Sequence, residues 1–224
     1  MIEDAVRYPM NSDEAAKNIL IGGILTLIGV LILPIFVVSG YYVRVLRTTT
    51  QGDERPPSFG DWGDLLVEGL KATVIGIIYM IIPAVVFFVT VGGSMMAMMG
   101  GGRAGGALGA GMGAIGFLVS ALLFLVFWYL LPAALTSFSK SGKIGSAFDV
   151  GTIKSVVSTG DYAMAWVFGL VMMLVGGFIT GILGIIPLLG QIIGVFVTFY
   201  FAVVANRLYA QGYVDALEGT ETRI

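Results

Sequence analysis

The sequence predicts an all-α fold: a polytopic helical membrane protein of about five transmembrane helices with two short cytoplasmic interfacial helices. Three observations predict it. The chain of 224 residues is 57% hydrophobic and only 12% charged, whereas soluble domains carry roughly a quarter charged residues. Four long stretches, 18–43, 72–102, 104–139 and 162–206, contain no Asp, Glu, Lys or Arg. The mean hydropathy is +0.95. A hydrocarbon core about 30 Å thick takes ~20 helical residues, so lipid is the solvent these stretches fit. Residues 1–224 read as one membrane domain.

Each element has its own reason. Residues 1–17, MIEDAVRYPMNSDEAAK, form a polar, acidic N-terminal tail. It lacks the basic n-region of a cleavable signal peptide, so the first apolar segment is expected to stay as a span. That span, 19–43, is long enough for one tilted pass, with Pro34 near its middle. The alternative is a re-entrant hairpin bent at Pro34. No glycine marks the bend, and lipid tolerates bent backbone only where protein covers it. Residues 58–70 form the first interfacial helix, with Phe59, Trp62, Leu65, Leu66 and Leu70 on one face and Asp61, Asp64 and Glu68 on the other. The next spans are 72–98 and 113–137, joined by a glycine-rich connection. The second interfacial helix is 146–157. The uncharged run 162–206 is too long for one pass and right for two, 162–184 and 189–206, around the turn Gly184-Ile185-Ile186-Pro187-Leu188-Leu189-Gly190. Residues 207–224 form a C-terminal tail.

Orientation follows from Lys and Arg in short loops. Five passes put nine such residues on one side and three, Arg7, Lys17 and Arg103, on the other. The expectation is an N-terminus outside and a C-terminus in the cytoplasm. A hairpin at Pro34 would instead put both termini inside, at eleven against one.

Two stretches resemble each other and suggest a parallel tandem repeat. Leu33-Pro34 is followed by Ser58-Phe59-Gly60-Asp61-Trp62-Gly63-Asp64-Leu65. Leu131-Pro132 is followed by Ser146-Ala147-Phe148-Asp149-Val150-Gly151-Thr152-Ile153. Ser followed three residues later by an acid has the form of a capping box with Asp in place of Glu or Gln. Each copy is expected to start a short surface helix.

Glycine and methionine dominate 92–116, with eleven glycines and five methionines. No phosphate-loop pattern is present there. Gly105, Gly109 and Gly113, spaced by four, form a stripe suited to close helix approach; an external loop is the other reading. Gly169, Gly177 and Gly181 form a second stripe, read as contact within the chain or as self-association. Arg44, Arg47, Asp61, Asp64, Glu68 and Lys71 are expected to form an ion-pair cluster at the interface, where Trp62 anchors. A divalent cation on the three acids is the sharper reading. Within the bilayer the polar or kink candidates are Pro34, Pro83, Trp128, Tyr129, Pro132 and Gln191.

The absent residues exclude more than the present ones suggest. The chain has no Cys and no His. That removes disulfides, thiolate metal sites and any imidazole base or ligand. No ionisable residue lies in a predicted span, so buried-carboxylate proton transport has no carrier. No cofactor and no metal are expected, and catalytic residues are none. A net charge of -2 offers no polybasic tail for nucleic acid.

Tyr8-Pro9, Ile19-Leu20-Ile21-Gly22-Gly23, Gly40-Tyr41-Tyr42-Val43-Arg44-Val45-Leu46-Arg47, Phe59-Gly60-Asp61-Trp62-Gly63 and Gly69-Leu70-Lys71-Ala72 together resemble the archaeal membrane proteins grouped as domain of unknown function 4013. The resemblance covers most of the chain and is strongest over 8–79. It implies a small polytopic membrane protein and carries no catalytic residue with it.

Three roles follow as expectations. The first is a non-enzymatic protein working by helix packing in the lipid bilayer, as a homo-oligomer or with another membrane protein. The second is a conduit or carrier for a neutral or lipidic solute. The third is an accessory domain that docks a cytoplasmic partner.

Overall fold

A computed structural model describes the backbone of residues 2–27, 32–100 and 102–221. Among these residues every regular element is helical. The main helices are α1 (Ile2–Arg7), α2 (Ala15–Leu27), α3 (Ile32–Thr50), α4 (Trp62–Phe87), α5 (Gly93–Gly100), α6 (Gly102–Ser141), α7 (Val150–Val157), α8 (Gly160–Leu183) and α9 (Leu189–Glu221). Short 3-10 turns lie at Tyr8–Met10 and Ile144–Phe148, and a π turn at Phe88–Gly92 joins α4 to α5. Four stretches are long and apolar enough to cross a membrane: Trp62–Met99, Gly106–Ser141, Gly160–Leu183 and Leu189–Gly219. Ala15–Thr26 is a shorter apolar helix.

The chain forms two units, Met1–Thr73 with Pro132–Ile224, and Val74–Leu131. In the first unit α9 is the hub, with α8 packed along it and α1, α2, α3 and α7 against it. Small residues on the outer helices admit large ones from α9. A methyl on Gly22 would lie 2.1 Å from the ring of Phe199, and one on Gly23 would lie 1.9 Å from Phe196. Phe199 also gathers Tyr41, Tyr42 and Phe59, at ring separations of 5.5, 5.9 and 6.1 Å. Tyr41 and Phe59 stack at 4.1 Å. Val37, Val38, Val45, Leu65 and Val203 complete this core.

This geometry corrects the reading of 19–43 as a single pass. The segment is two helices, α2 and α3, that run antiparallel on α9. Asn18 at the start of α2 donates to the carbonyl of Pro57, beyond the end of α3, at 3.1 Å. Tyr8 pairs with Thr48, near the end of α3, at 3.1 Å. Gly22 and Tyr41 meet the same Phe199. Pro34 is the third residue of α3. In a first turn the missing N–H of proline costs nothing, because that N–H has no partner within the helix. Proline thus starts a helix here and does not kink one. The connection between α2 and α3 lies outside the described residues.

The N-terminal tail is corrected with it. Ala5 packs on Val204 and Leu208 of α9, and the hydroxyl of Tyr200 donates to the carbonyl of Val6. The N-terminal segment therefore lies against the middle of α9.

Two other boundaries move. The interfacial helix 58–70 is not separate, because α4 runs unbroken from Trp62 to Phe87. No proline or cap interrupts 66–75, so helix propagation continues. The tail 207–224 is helical to Glu221. Leu208, Tyr209, Ala210, Tyr213 and Ala216 are buried there, and their packing extends α9.

In the second unit, α4 and α5 pair antiparallel with α6. Gly116 faces Thr90, Gly113 faces Ser94, and Gly109 faces Ser94 and Met98. Tyr79–Phe127 and Phe87–Phe124 make edge contacts at 6.2 and 6.5 Å. The glycine-rich stretch expected as a connection is helical up to Gly100 and again from Gly102. Glycine costs helix stability, but a larger residue would collide here with the facing side chains of Thr90 and Ser94 and, at Gly109, with the Ser94 carbonyl.

Candidate functional site

The polar end of the first unit carries the charged machinery. Glu68, on the second turn of α4, holds Arg47 of α3 at 2.7 Å and lies 3.8 Å from Arg44. Arg44 donates to the carbonyls of Gly60 and Asp61, at 2.6 and 3.2 Å. Arg47 donates to the carbonyl of Ser139, near the end of α6, at 2.7 Å. Two arginines one turn apart thus tie α3 to the loop before α4, to α4 and to α6. The chemistry is structural: both guanidiniums are occupied by fixed acceptors.

The expected cluster forms in part. Arg44, Arg47 and Glu68 come together, and Asp61 joins through its backbone. Asp64 is exposed, and neither Asp64 nor Lys71 forms an ion pair among the described residues. The inward face of α4 is Leu65, Gly69 and Ala72, whereas Trp62 and Leu70 are exposed. Glu68 was expected on the solvent face and is 19% exposed. Gly69 decides the face, because a methyl there would lie 1.7 Å from the carbonyl oxygen of Phe36 on α3.

A second arginine site was not legible from patterns. Arg207, on α9, is only 8% exposed. It donates to Thr49 Oγ1 at 3.2 Å and to the carbonyl of Asp53 at 2.5 Å. Its guanidinium stacks over the ring of Tyr8 at 4.3 Å. Burial raises the Tyr8 phenol above its ordinary value, while Thr48 and Arg207 pull it down. Arg207 forms no ion pair among the described residues, and its Nε has no hydrogen-bond partner. The one sequence signal was position: Arg207 is the first charge after the uncharged run 162–206.

The expected capping box resolves differently. Asp149 is itself the N-cap of α7, accepting from the N–H of Gly151 and Thr152 at 3.1 and 3.3 Å and from the Thr152 hydroxyl at 2.7 Å. Ser146 sits in the preceding 3-10 turn and donates to Ser137 and Lys143 carbonyls. In the first copy, Asp61 likewise directly precedes its helix, with a left-handed φ of 49°. The acid therefore occupies the cap, one turn earlier than a box would place it.

Within the apolar segments, Pro83 and Pro132 lie inside continuous helices. After Pro132, the N–H of Ala133 donates to the hydroxyl of Tyr162 at 3.1 Å. Tyr162, not Trp128 or Tyr129, is the polar partner beside this proline. Trp128 is 50% exposed, Tyr129 is half-buried and Gln191 is exposed.

The glycine stripes divide. Gly109 and Gly113 are contacts inside the second unit; the surroundings of Gly105 lie outside the described residues. A methyl on Gly169 would lie 2.3 Å from the ring of Tyr209, and one on Gly176, off the expected stripe, 2.8 Å from Phe201. A methyl on Gly177 or Gly181 would meet nothing within 4 Å. Among the described residues, no group of three acids, His or Cys is placed to hold a metal ion.

A family model described as a protein of unknown function, DUF4013, matches residues 23–185. No curated protein and no solved structure matches the chain.

Proposed function

The chain belongs to the DUF4013 family, and on that premise we propose a non-enzymatic, multi-pass membrane protein that works by helix packing, as an oligomer or as a subunit of a larger membrane assembly. One observation carries this reading. On α8, Gly169 and Gly176 are filled by α9, while Gly177 and Gly181, spaced by four, stand open on a face with Met173, Leu174 and Phe178 exposed beside them. Stripes of small residues let helices approach closely in lipid, where apolar side chains alone give no preference for protein over lipid. A second copy or another membrane helix fits that face.

Crosslinking and native mass measurement in mild detergent test it. An oligomer that dissociates in Gly177→Leu and Gly181→Leu is expected. A monomer in the wild type, or an oligomer indifferent to both changes, rejects this face as the contact.

The same proposal sets the orientation. All Lys and Arg except Arg103 fall in the unit that contains both termini. Contacts such as Arg47–Ser139 and Arg207–Asp53 draw the basic segments to one end. By the positive-inside rule that end is cytoplasmic, with both termini. Cysteines at Met10 and Lys143 should react with an impermeant reagent from the cytoplasmic face only, and one at Ile185 from the opposite face. Labelling of Met10→Cys and Lys143→Cys from different faces rejects the arrangement.

A further inference from the structure

A polar cavity of about 320 Å³ opens beside Arg207, walled by Asp4, Arg7, Asn11, Glu54 and Gln211, with Tyr8 as its platform. We propose that this cavity binds a phosphate group that also carries a hydrogen-bond donor, such as phosphoglycerol or phosphoethanolamine.

The starting point is an uncancelled charge. Arg207 is more than nine-tenths buried, and the groups that hold it are neutral: a threonine hydroxyl, a carbonyl and an aromatic ring. Buried charges are normally paired, because removal from water is not repaid by neutral contacts alone. Arg7, on the same wall, is already paired with Glu3 at 2.9 Å and is largely exposed. The unmet positive charge is therefore that of Arg207.

One turn along α9, Gln211 presents the reverse need. Its Oε1 is buried and accepts no hydrogen bond. The cavity thus asks for an anion at one point and a donor at another. Phosphate meets the guanidinium with matched, charge-assisted geometry. The carboxylates of Asp4 and Glu54 on the same wall repel a bare anion but accept from a hydroxyl or an ammonium. Both charge signs in one space select a ligand with an anionic head and a donor arm. The volume exceeds what a lone phosphate fills.

Two sources supply this chemistry: a lipid headgroup, since Arg207 directly follows an uncharged membrane stretch, and a water-soluble phosphate ester. Calorimetry on the full chain in detergent distinguishes them. The probes are dioctanoyl phosphatidylglycerol, dioctanoyl phosphatidylcholine, glycerol 1-phosphate and inorganic phosphate. The phosphoglycerol probes are expected to bind at least tenfold more tightly than phosphatidylcholine, which has no donor, and than inorganic phosphate. Phosphatidylglycerol well above glycerol 1-phosphate identifies a lipid; comparable binding identifies a soluble ester. Arg207→Gln should weaken binding at least tenfold. Gln211→Leu should erase the preference over phosphatidylcholine while the fold is kept, so it carries the test if Arg207→Gln does not fold. No binding by any probe overturns the proposal, as do equal binding by inorganic phosphate and unchanged binding in both variants.

Discussion

A methyl group on Gly69 would lie 2.7 Å from the amide nitrogen of Gly40 and 1.7 Å from the carbonyl oxygen of Phe36. The contact is reciprocal, since a methyl on Gly40 would lie 1.9 Å from the carbonyl oxygen of Leu65. Helices α3 and α4 thus cross backbone against backbone. That crossing brings Arg44 and Arg47 within reach of Glu68, one residue before Gly69.

Gly40→Ala and Gly69→Ala should each push α3 and α4 apart, because backbone cannot yield as a side chain tip can. Overpacking of this kind costs about 1–3 kcal/mol. Gly76→Ala is the contrast: this glycine lies inside α4, and a methyl there would meet nothing within 4 Å. There alanine should stabilise by roughly 0.5–1 kcal/mol, since glycine loses more freedom in a helix. Unfolding midpoints in one detergent check all three. A neutral Gly69→Ala would show that the crossing is looser than described.

Tyr162→Phe removes the acceptor for the Ala133 N–H and leaves that donor in an apolar setting. A buried donor left unmade costs about 1–3 kcal/mol. The variant should melt lower, with faster amide exchange at Ala133. Unaltered exchange at Ala133 would mean that another acceptor serves this amide.

The pairing of α5 with α6 is open to a covalent test, because the chain contains no cysteine. A Cβ on Gly113 lies 3.3 Å from that of Ser94, close to the span of about 3.5–4.5 Å that a disulfide bridges. Ser94→Cys with Gly113→Cys should oxidise readily and lose its free thiols. Ser94→Cys with Gly111→Cys should stay reduced, since a Cβ on Gly111 would meet nothing within 4 Å. Equal oxidation of both pairs contradicts the described register.

Asp149 links α7 to pH. The Thr152 hydroxyl and then the Thr152 N–H hold its carboxyl below the usual range, against an opposing effect of desolvation and with a further contribution from the Gly151 N–H. The folded value lies under the unfolded one, so this stabilisation is present above the usual carboxylate range. It is lost as pH falls through the depressed folded value. Amide exchange in α7 should therefore quicken on acidification, and in Asp149→Ala it should be fast already and lack this step. An acid step that persists in Asp149→Ala assigns it to another group.

Particular residues show why part of the structure was legible. The uncharged runs at 72–102, 104–139 and 162–206 marked the long apolar helices, because transfer into lipid sums residue by residue along a segment. The turn at Gly184–Gly190 was visible for the same local reason. The charged residues 44, 47 and 68 were expected as neighbours from their place beside span ends. By contrast, Gly40, Gly69, Gly176 and Tyr162 looked ordinary. Their roles come from partners 20 or more residues away, such as Leu65, Phe36, Phe201 and Ala133.

The sequence by itself determined the solvent, the helical class, and the placing of ionic side chains at segment ends. Each is a sum over neighbours along the chain, and composition already contains it. Only the tertiary structure decided that the Pro34 segment folds back as two helices, and that Arg207 is buried beside a cavity. Both depend on what meets them in space: Phe196 and Phe199 against Gly22 and Gly23, and Tyr8 against the guanidinium. A proline is tolerated both inside a kinked membrane helix and in the first turn of a new one, so contacts made across the fold select between them.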